Sequence, residues 1–239
     1  MANSSRTGLN SDLFAATSNL NNETKYKFMS GLAPEVAHAV CAAAERRSLA
    51  RNDDLIREGE PADACYILQE GAATVRKSFR GGCEQVVGFL FSGDIMGTAH
   101  LRQYAYSVRM LSSTEVLRFD RRAFDDLCDT YPQFGSWLLQ AACGELAAAQ
   151  DHMLLLARKT ARERIAQFLL HLDARFEKRA VWMPMRRREI ADYLGVSLET
   201  VSRIMAEFTR NGYIQTDGRY TLYILNRSEL STLAEGAGH

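Results

Sequence analysis

Paired cysteines are what this chain most plainly lacks. Its five, Cys41, Cys65, Cys83, Cys128 and Cys143, are odd in number and none sits in a C-x-x-C spacing. That is poor material for a disulfide framework, a zinc site or an iron–sulfur cluster, and reduced thiols in a cytoplasmic protein are expected instead. No apolar run approaches the ~20 residues of a membrane span, so no membrane association is expected. The first residues lack the charged-then-apolar order of a signal peptide. They are rich in Asn, Ser and Thr as far as about Thr24, and residues 1–24 are expected to be a mobile tail. Histidine is scarce, five in all, and only His100 falls in the β-rich stretch described next, too few to converge on a metal as in a barrel metalloenzyme. Neither a nucleophile motif nor a phosphate loop is present, so no enzyme is expected. A net charge of zero argues against a protein that coats nucleic acid along its whole surface.

What is there is unevenly placed. Residues 158–219 hold 13 Lys and Arg against 8 Asp and Glu, whereas residues 1–157 hold 15 against 19. A basic C-terminal third on an acidic remainder suits a DNA-binding module joined to something else. From about Arg47 to Asp120, glycines fall at roughly ten-residue intervals between short alternating runs such as CYILQ and EVLRF, the pattern of an antiparallel β-roll. A short helix, about Pro34 to Arg46, is expected before it. From Arg121 to Ala157 the period becomes helical. Leu139, Ala142, Leu146, Ala149, Met153 and Leu156 are spaced 3, 4, 3, 4, 3, a heptad seam for a second copy of the chain. The expected fold is thus α+β: a β-roll domain (25–133), a dimerisation helix (134–158) and a winged helix-turn-helix (159–239).

The most specific stretch is Arg187 to Ala206, RREIADYLGVSLETVSRIMA. Ala191 is small where two helices must cross, and Gly195 stands where the chain must turn with a positive φ. Ile190, Leu194, Val196, Val201 and Ile204 would form the core beneath. Glu199, Ser202, Arg203 and Ala206 fall at i, i+3, i+4 and i+7 on one face, opposite apolar Val201, Ile204, Met205 and Phe208. Arg203 can bond guanine O6 and N7 bidentately. Glu199 can accept from a cytosine amino group, and Ser202 can touch a thymine methyl. Ser197 is the expected N-cap. Arg186, Arg187, Arg188, Ser197, Thr200 and Arg219 are the candidate phosphate contacts. In GYIQTDGRYTLYIL, Asp217-Gly218 marks a tight turn between two strands, a wing beside the motif.

In its order of elements, and above all in MRRREIADYLGVSLETVSRIMAEFTRNGYIQTDGRY, the chain resembles the Crp/Fnr family of bacterial transcription regulators from about Lys27 onward. The resemblance implies a homodimer that binds double-stranded DNA, with RNA polymerase as a further partner if it activates. Glu199, Ser202 and Arg203 resemble the Fnr reading set. Crp-like members have Arg where Leu198 stands and Gly where Ser202 stands. The implied target is a palindrome close to TTGAT-N4-ATCAA. The family's cyclic-AMP cassette is missing: Thr98 replaces its Glu, and Tyr104 and Ala105 replace its Arg and Ser. Without that arginine a nucleotide phosphate would be buried unpaired. The cluster cysteines of Fnr are missing too, with no cysteine before Cys41 and Leu117 in the β-roll position. No cofactor is therefore expected: no cyclic AMP and no iron–sulfur cluster. This matches the FixK-like branch, whose members control microaerobic and anaerobic respiration or nitrogen-fixation genes. Two alternatives stay open. One is a haem-dependent nitric-oxide sensor of the same family, with His38, His100, His152 or His171 as axial ligand. The other is a cyclic-nucleotide-binding module that regulates another protein. Cys83, on a Gly-Gly turn, is the candidate for a redox switch.

Overall fold

The computed structural model describes residues 29–79, 82–98, 102–176 and 180–236. The expected N-terminal tail and His100 lie outside them. Helix α1 (Pro34–Ala42) starts with proline at its first turn, where the missing N–H costs nothing. It ends four residues earlier than the alanine-rich sequence suggests. Glu45 and Arg46 instead open strand β1 (Glu45–Leu49), which pairs antiparallel with β8 (Thr114–Asp120), Glu45 opposite Arg118. Tertiary pairing overrides the helix propensity of that stretch.

Between them run β2 (Asp54–Ile56), β3 (Ala64–Glu70), β4 (Ala72–Ser78), β5 (Glu84–Phe91), β6 (Ile95–Met96) and β7 (Ser107–Met110). They form two antiparallel four-stranded sheets, ordered β1-β8-β3-β6 and β2-β7-β4-β5. Strand β3 is buried on both faces, which explains why its alternation is weak. Tyr66 and Leu68 meet Ile56, Leu90, Val108 and Val116 between the sheets. Cys65 and Ile67 face the other way, joining Leu117 and Phe119 under Val36, Val40, Phe124, Leu127 and Phe134.

The helical stretch from Arg121 onward divides in two: α2 (Arg121–Thr130) and α3 (Pro132–Arg158). The break is at Tyr131, φ −123° and ψ 85°, because a residue before proline is pushed out of the helical region. Helix α4 (Ala161–Phe176) then leads, by way of β9 (Val181–Trp182), to α5 (Arg187–Leu194) and α6 (Leu198–Arg210). Strands β10 (Ile214–Asp217) and β11 (Thr221–Ile224) form the hairpin, with β9 as its third strand, and α7 (Arg227–Glu235) closes the chain.

The C-terminal unit is docked on the roll. Ala72, Phe91 and Leu111 share one core with Phe168, Leu172, Ile190, Leu194 and Phe208. Phe91 meets Phe176 edge-to-face at 5.2 Å, and Arg175 bonds Asp94 at 2.7 Å while lying over the Phe91 ring. Gln85 donates to the Asp192 carbonyl. Arg51, beside a turn that needs Asn52 at φ 74°, reaches the Pro184 carbonyl and the Tyr220 hydroxyl at 3.4 Å.

Candidate nucleic-acid interface

Helix α5 stops because Gly195 takes the left-handed conformation, φ 63° and ψ 40°. The Val196 N–H returns to the Ala191 carbonyl at 3.1 Å, the bond that closes a glycine-terminated helix end. Two residues on, the Ser197 hydroxyl accepts the Thr200 N–H at 3.1 Å, so Ser197 is the N-cap of α6. The Thr200 hydroxyl lies 3.1 Å from the Ser197 hydroxyl.

Helix α6 then divides cleanly. Val201, Ile204, Met205 and Phe208 are buried, and Glu199, Ser202, Arg203 and Ala206 are exposed. The Glu199 carboxyl is held below its ordinary range by backbone N–H at the helix start and by the Ser197 hydroxyl. It is therefore an acceptor at neutral pH, as a cytosine amino group requires. Ser202 donates its hydroxyl proton to the Leu198 carbonyl at 2.9 Å. What it offers outward is acceptor lone pairs and a small methylene, not a proton.

Leu198 lies beside the exposed face, which its spacing alone does not indicate. Its spacing to Val201, Met205 and Phe208 fits the buried stripe, yet at the first turn it is only partly covered and 43% exposed. The hint was its place immediately after the N-cap, where an apolar stripe runs off the end of its own core.

The phosphate candidates divide as well. Arg186 and Arg188 are exposed at the start of α5, and Glu189 accepts the Arg186 N–H. Arg187 is half-buried, with Nη1 buried and without a partner, and burial lowers its pKa. The wing turn is three residues long, Gly218 (φ 61°), Arg219 and Tyr220, because Asp217 pairs with Thr221. Arg219 is exposed, and Tyr220 lies between it and Arg51, whose guanidinium carbons are 5.8 and 5.6 Å from the ring centre.

Along the long helix, Leu139, Leu146 and Met153 are 66%, 60% and 62% exposed, and Ala142 and Ala149 are exposed with them. Leu156 differs. It is half-buried, its Cδ2 3.7 Å from where a Cβ on Gly195 would stand.

Tyr104, which the resemblance sets in place of the cassette's arginine, is buried; its hydroxyl donates to the Ala64 carbonyl at 2.9 Å and accepts the Ala64 N–H at 3.3 Å. Gly97 is at φ 74°, and a Cβ there would stand 2.8 Å from the Ala64 carbonyl and 3.1 Å from the Tyr104 ring. The Tyr106 hydroxyl accepts the Gly97 N–H at 3.0 Å, and Arg121 donates to the Gly97 carbonyl at 2.8 Å. Tyr104, Tyr106 and Arg121 thus all close on the backbone at Ala64 and Gly97. No group of three or more His, Cys, Asp or Glu among the described residues could hold a metal. Burial pushes the Cys65 thiol up to about 11 against the pull of Arg121. His38 and His171 are exposed, and His152 is stacked on Tyr193 at 4.0 Å. Among the described residues, the cysteines do not converge as an iron–sulfur cluster requires, and none of His38, His152 and His171 belongs to a cluster of metal-binding side chains. Cys83 is exposed on the β4–β5 hairpin.

A β-roll joined by one long helix to a winged helix-turn-helix with an open reading face defines a DNA-binding transcription regulator. Residues 46–131 match the cyclic nucleotide-binding domain, and residues 163–233 match the Crp-like helix-turn-helix domain. The chain is 34% identical to the transcriptional activator protein anr of Pseudomonas aeruginosa over 80% of each chain. It is 30% identical to the nitrogen fixation regulation protein FixK of Azorhizobium caulinodans over 82% of each. The structure of FixK2 from Bradyrhizobium japonicum superposes with a TM-score of 0.75 at 33% identity, covering 82% of this chain and 99% of that one. The chain belongs to the Crp/Fnr family of transcription regulators. It is not an enzyme, and among the described residues no helix is long and apolar enough to cross a membrane.

Proposed function

We propose that the protein is a cytoplasmic homodimeric activator that reads a palindrome close to TTGAT-N4-ATCAA and contacts RNA polymerase there. On this reading it controls microaerobic or anaerobic respiration or nitrogen-fixation genes, and it needs neither cyclic nucleotide nor metal. The observation that carries it is the reading face of α6: an ionised Glu199, an exposed Arg203 and a Ser202 whose proton is already committed. Arg203 and Glu199 suit the two bases of one G·C pair, and Ser202 with Leu198 suits neighbouring thymine methyl groups. Arg186, Arg187, Arg188, Thr200 and Arg219 supply phosphate contacts that set register. Likeness to the transcriptional activator anr and to the nitrogen fixation regulation protein FixK supports the regulatory role, the exposed apolar seam on α3 supports the dimer, and the buried Tyr104 supports independence from cyclic nucleotide.

The test is fluorescence anisotropy with that duplex. Arg203→Ala should weaken specific binding by about 1–3 kcal/mol while leaving the dimer mass unchanged. Unchanged affinity would overturn the assignment.

A further inference from the structure

The bend between α3 and α4 carries a cluster that the reading face does not account for. The chain leaves the helix at Lys159, which is extended at φ −103° and ψ 145°. Thr160 and Glu163 cap α4 reciprocally: the Thr160 N–H donates to Glu163 Oε2 at 2.8 Å, and the Glu163 N–H to Thr160 Oγ1 at 3.4 Å. That cap takes the donor that the Leu156 carbonyl, four residues earlier, would otherwise have had. The Leu194 carbonyl at the end of α5 is stranded in the same way: its donor would be the N–H four residues on, and the left-handed Gly195 turns the chain off the helix before that point.

One guanidinium answers both ends. Arg164 donates from Nη2 to the Leu156 carbonyl at 2.8 Å, from Nε to the Lys159 carbonyl at 2.9 Å and from Nη1 to the Leu194 carbonyl at 2.9 Å. Two helix C-termini, each favouring a cation, meet on one planar fork that sits on a third helix. Leu156 fills the gap between them, which is why this seam residue is turned inward. Ser197, the cap of the reading helix, is only three residues beyond Leu194.

We infer that Arg164 is a positioning residue that locks the direction of the reading helix to the axis of the long helix, and so sets which half-site spacing the dimer accepts. The inference rests on the palindrome reading above. One base pair of spacer shifts the half-sites by about 3.4 Å and turns them by about 35°. With the shared core in place, a joint that also has these three bonds resists that change more than one that has lost them.

The experiment measures binding of the full-length dimer to palindromes with N3, N4 and N5 spacers. The wild type should favour one spacer by about tenfold or more, and Arg164→Met should narrow that preference to about twofold with the sedimentation mass unchanged. Arg164→Lys, which keeps the charge but not the fork, should fall between them and serves as the test if the methionine variant does not fold. Variants that lose affinity by the same factor at every spacer, keeping the wild-type preference, would overturn the inference. A wild type indifferent to spacing would overturn the palindrome reading, and this inference with it.

Discussion

Single side chains decide what α6 can read. Ser202 is back-bonded to Leu198, so its role at a base edge is set by a hydrogen bond within its own helix turn. His152 shows the same dependence on surroundings. Burial holds its imidazole below the ordinary value of about 6.5; contact with the Tyr193 backbone opposes this, and the charge of Arg164 adds to it. Between the folded pKa and the ordinary one, the folded state binds fewer protons than the unfolded chain, so stability falls on acidification through that window. His152→Phe keeps a ring on Tyr193 and removes the proton site. Its melting temperature should fall less than that of the wild type between about pH 7 and pH 5.5. Parallel pH profiles for the two proteins would show that His152 does not contribute. The identity of this histidine was legible in the sequence, but its half-buried stack on Tyr193 was not, because those residues meet only when α5 packs beside α3.

At the scale of elements, the long helix is where pattern and fold agree most closely. The 3-4 spacing from Leu139 to Leu156 survives in one unbroken helix, and five of the six seam residues are exposed in the single chain. Apolar side chains of this size left in water along one stripe are what a second copy would cover. Replacing Leu146 and Met153 together with Glu should give a monomer in sedimentation, with the helix content intact by circular dichroism. A double variant at wild-type mass would mean that the dimer forms through another surface. The sixth residue, Leu156, could not be separated from the stripe by spacing alone. Its inward turn depends on Gly195, 39 positions later in the chain. The shortened α1 has a similar cause, since Glu45 and Arg46 are held by strand β8 and not by their neighbours.

The whole molecule is held together by a shared core between roll and C-terminal unit. Phe91 is its fully buried roll-side aromatic, 4% exposed, with the half-buried Phe89 beside Phe168 and Tyr193. Phe91→Ala should cost about 3–5 kcal/mol, because the space it leaves lies between two units that cannot easily collapse onto it. Calorimetry should then separate one unfolding transition into two. A single, merely shifted transition would place the coupling in the polar contacts, Arg175 with Asp94 and Arg51 with Pro184 and Tyr220. In this docked arrangement the reading face stays open while the wing turn is tied to the roll through Arg51 and Tyr220.

By itself the sequence determined the order of elements, the turn glycine, the N-cap and the amphipathic division of α6. Each of these depends on residues within a few positions of one another, where periodicity and local hydrogen bonding leave little choice. Only the tertiary structure decided that Tyr104 is buried against Ala64, that Leu198 is left partly exposed, that Leu156 faces inward and that Arg164 joins the ends of two helices. Those outcomes depend on which distant groups are left without hydrogen-bond partners or covering side chains once the chain is packed, and no local pattern encodes that.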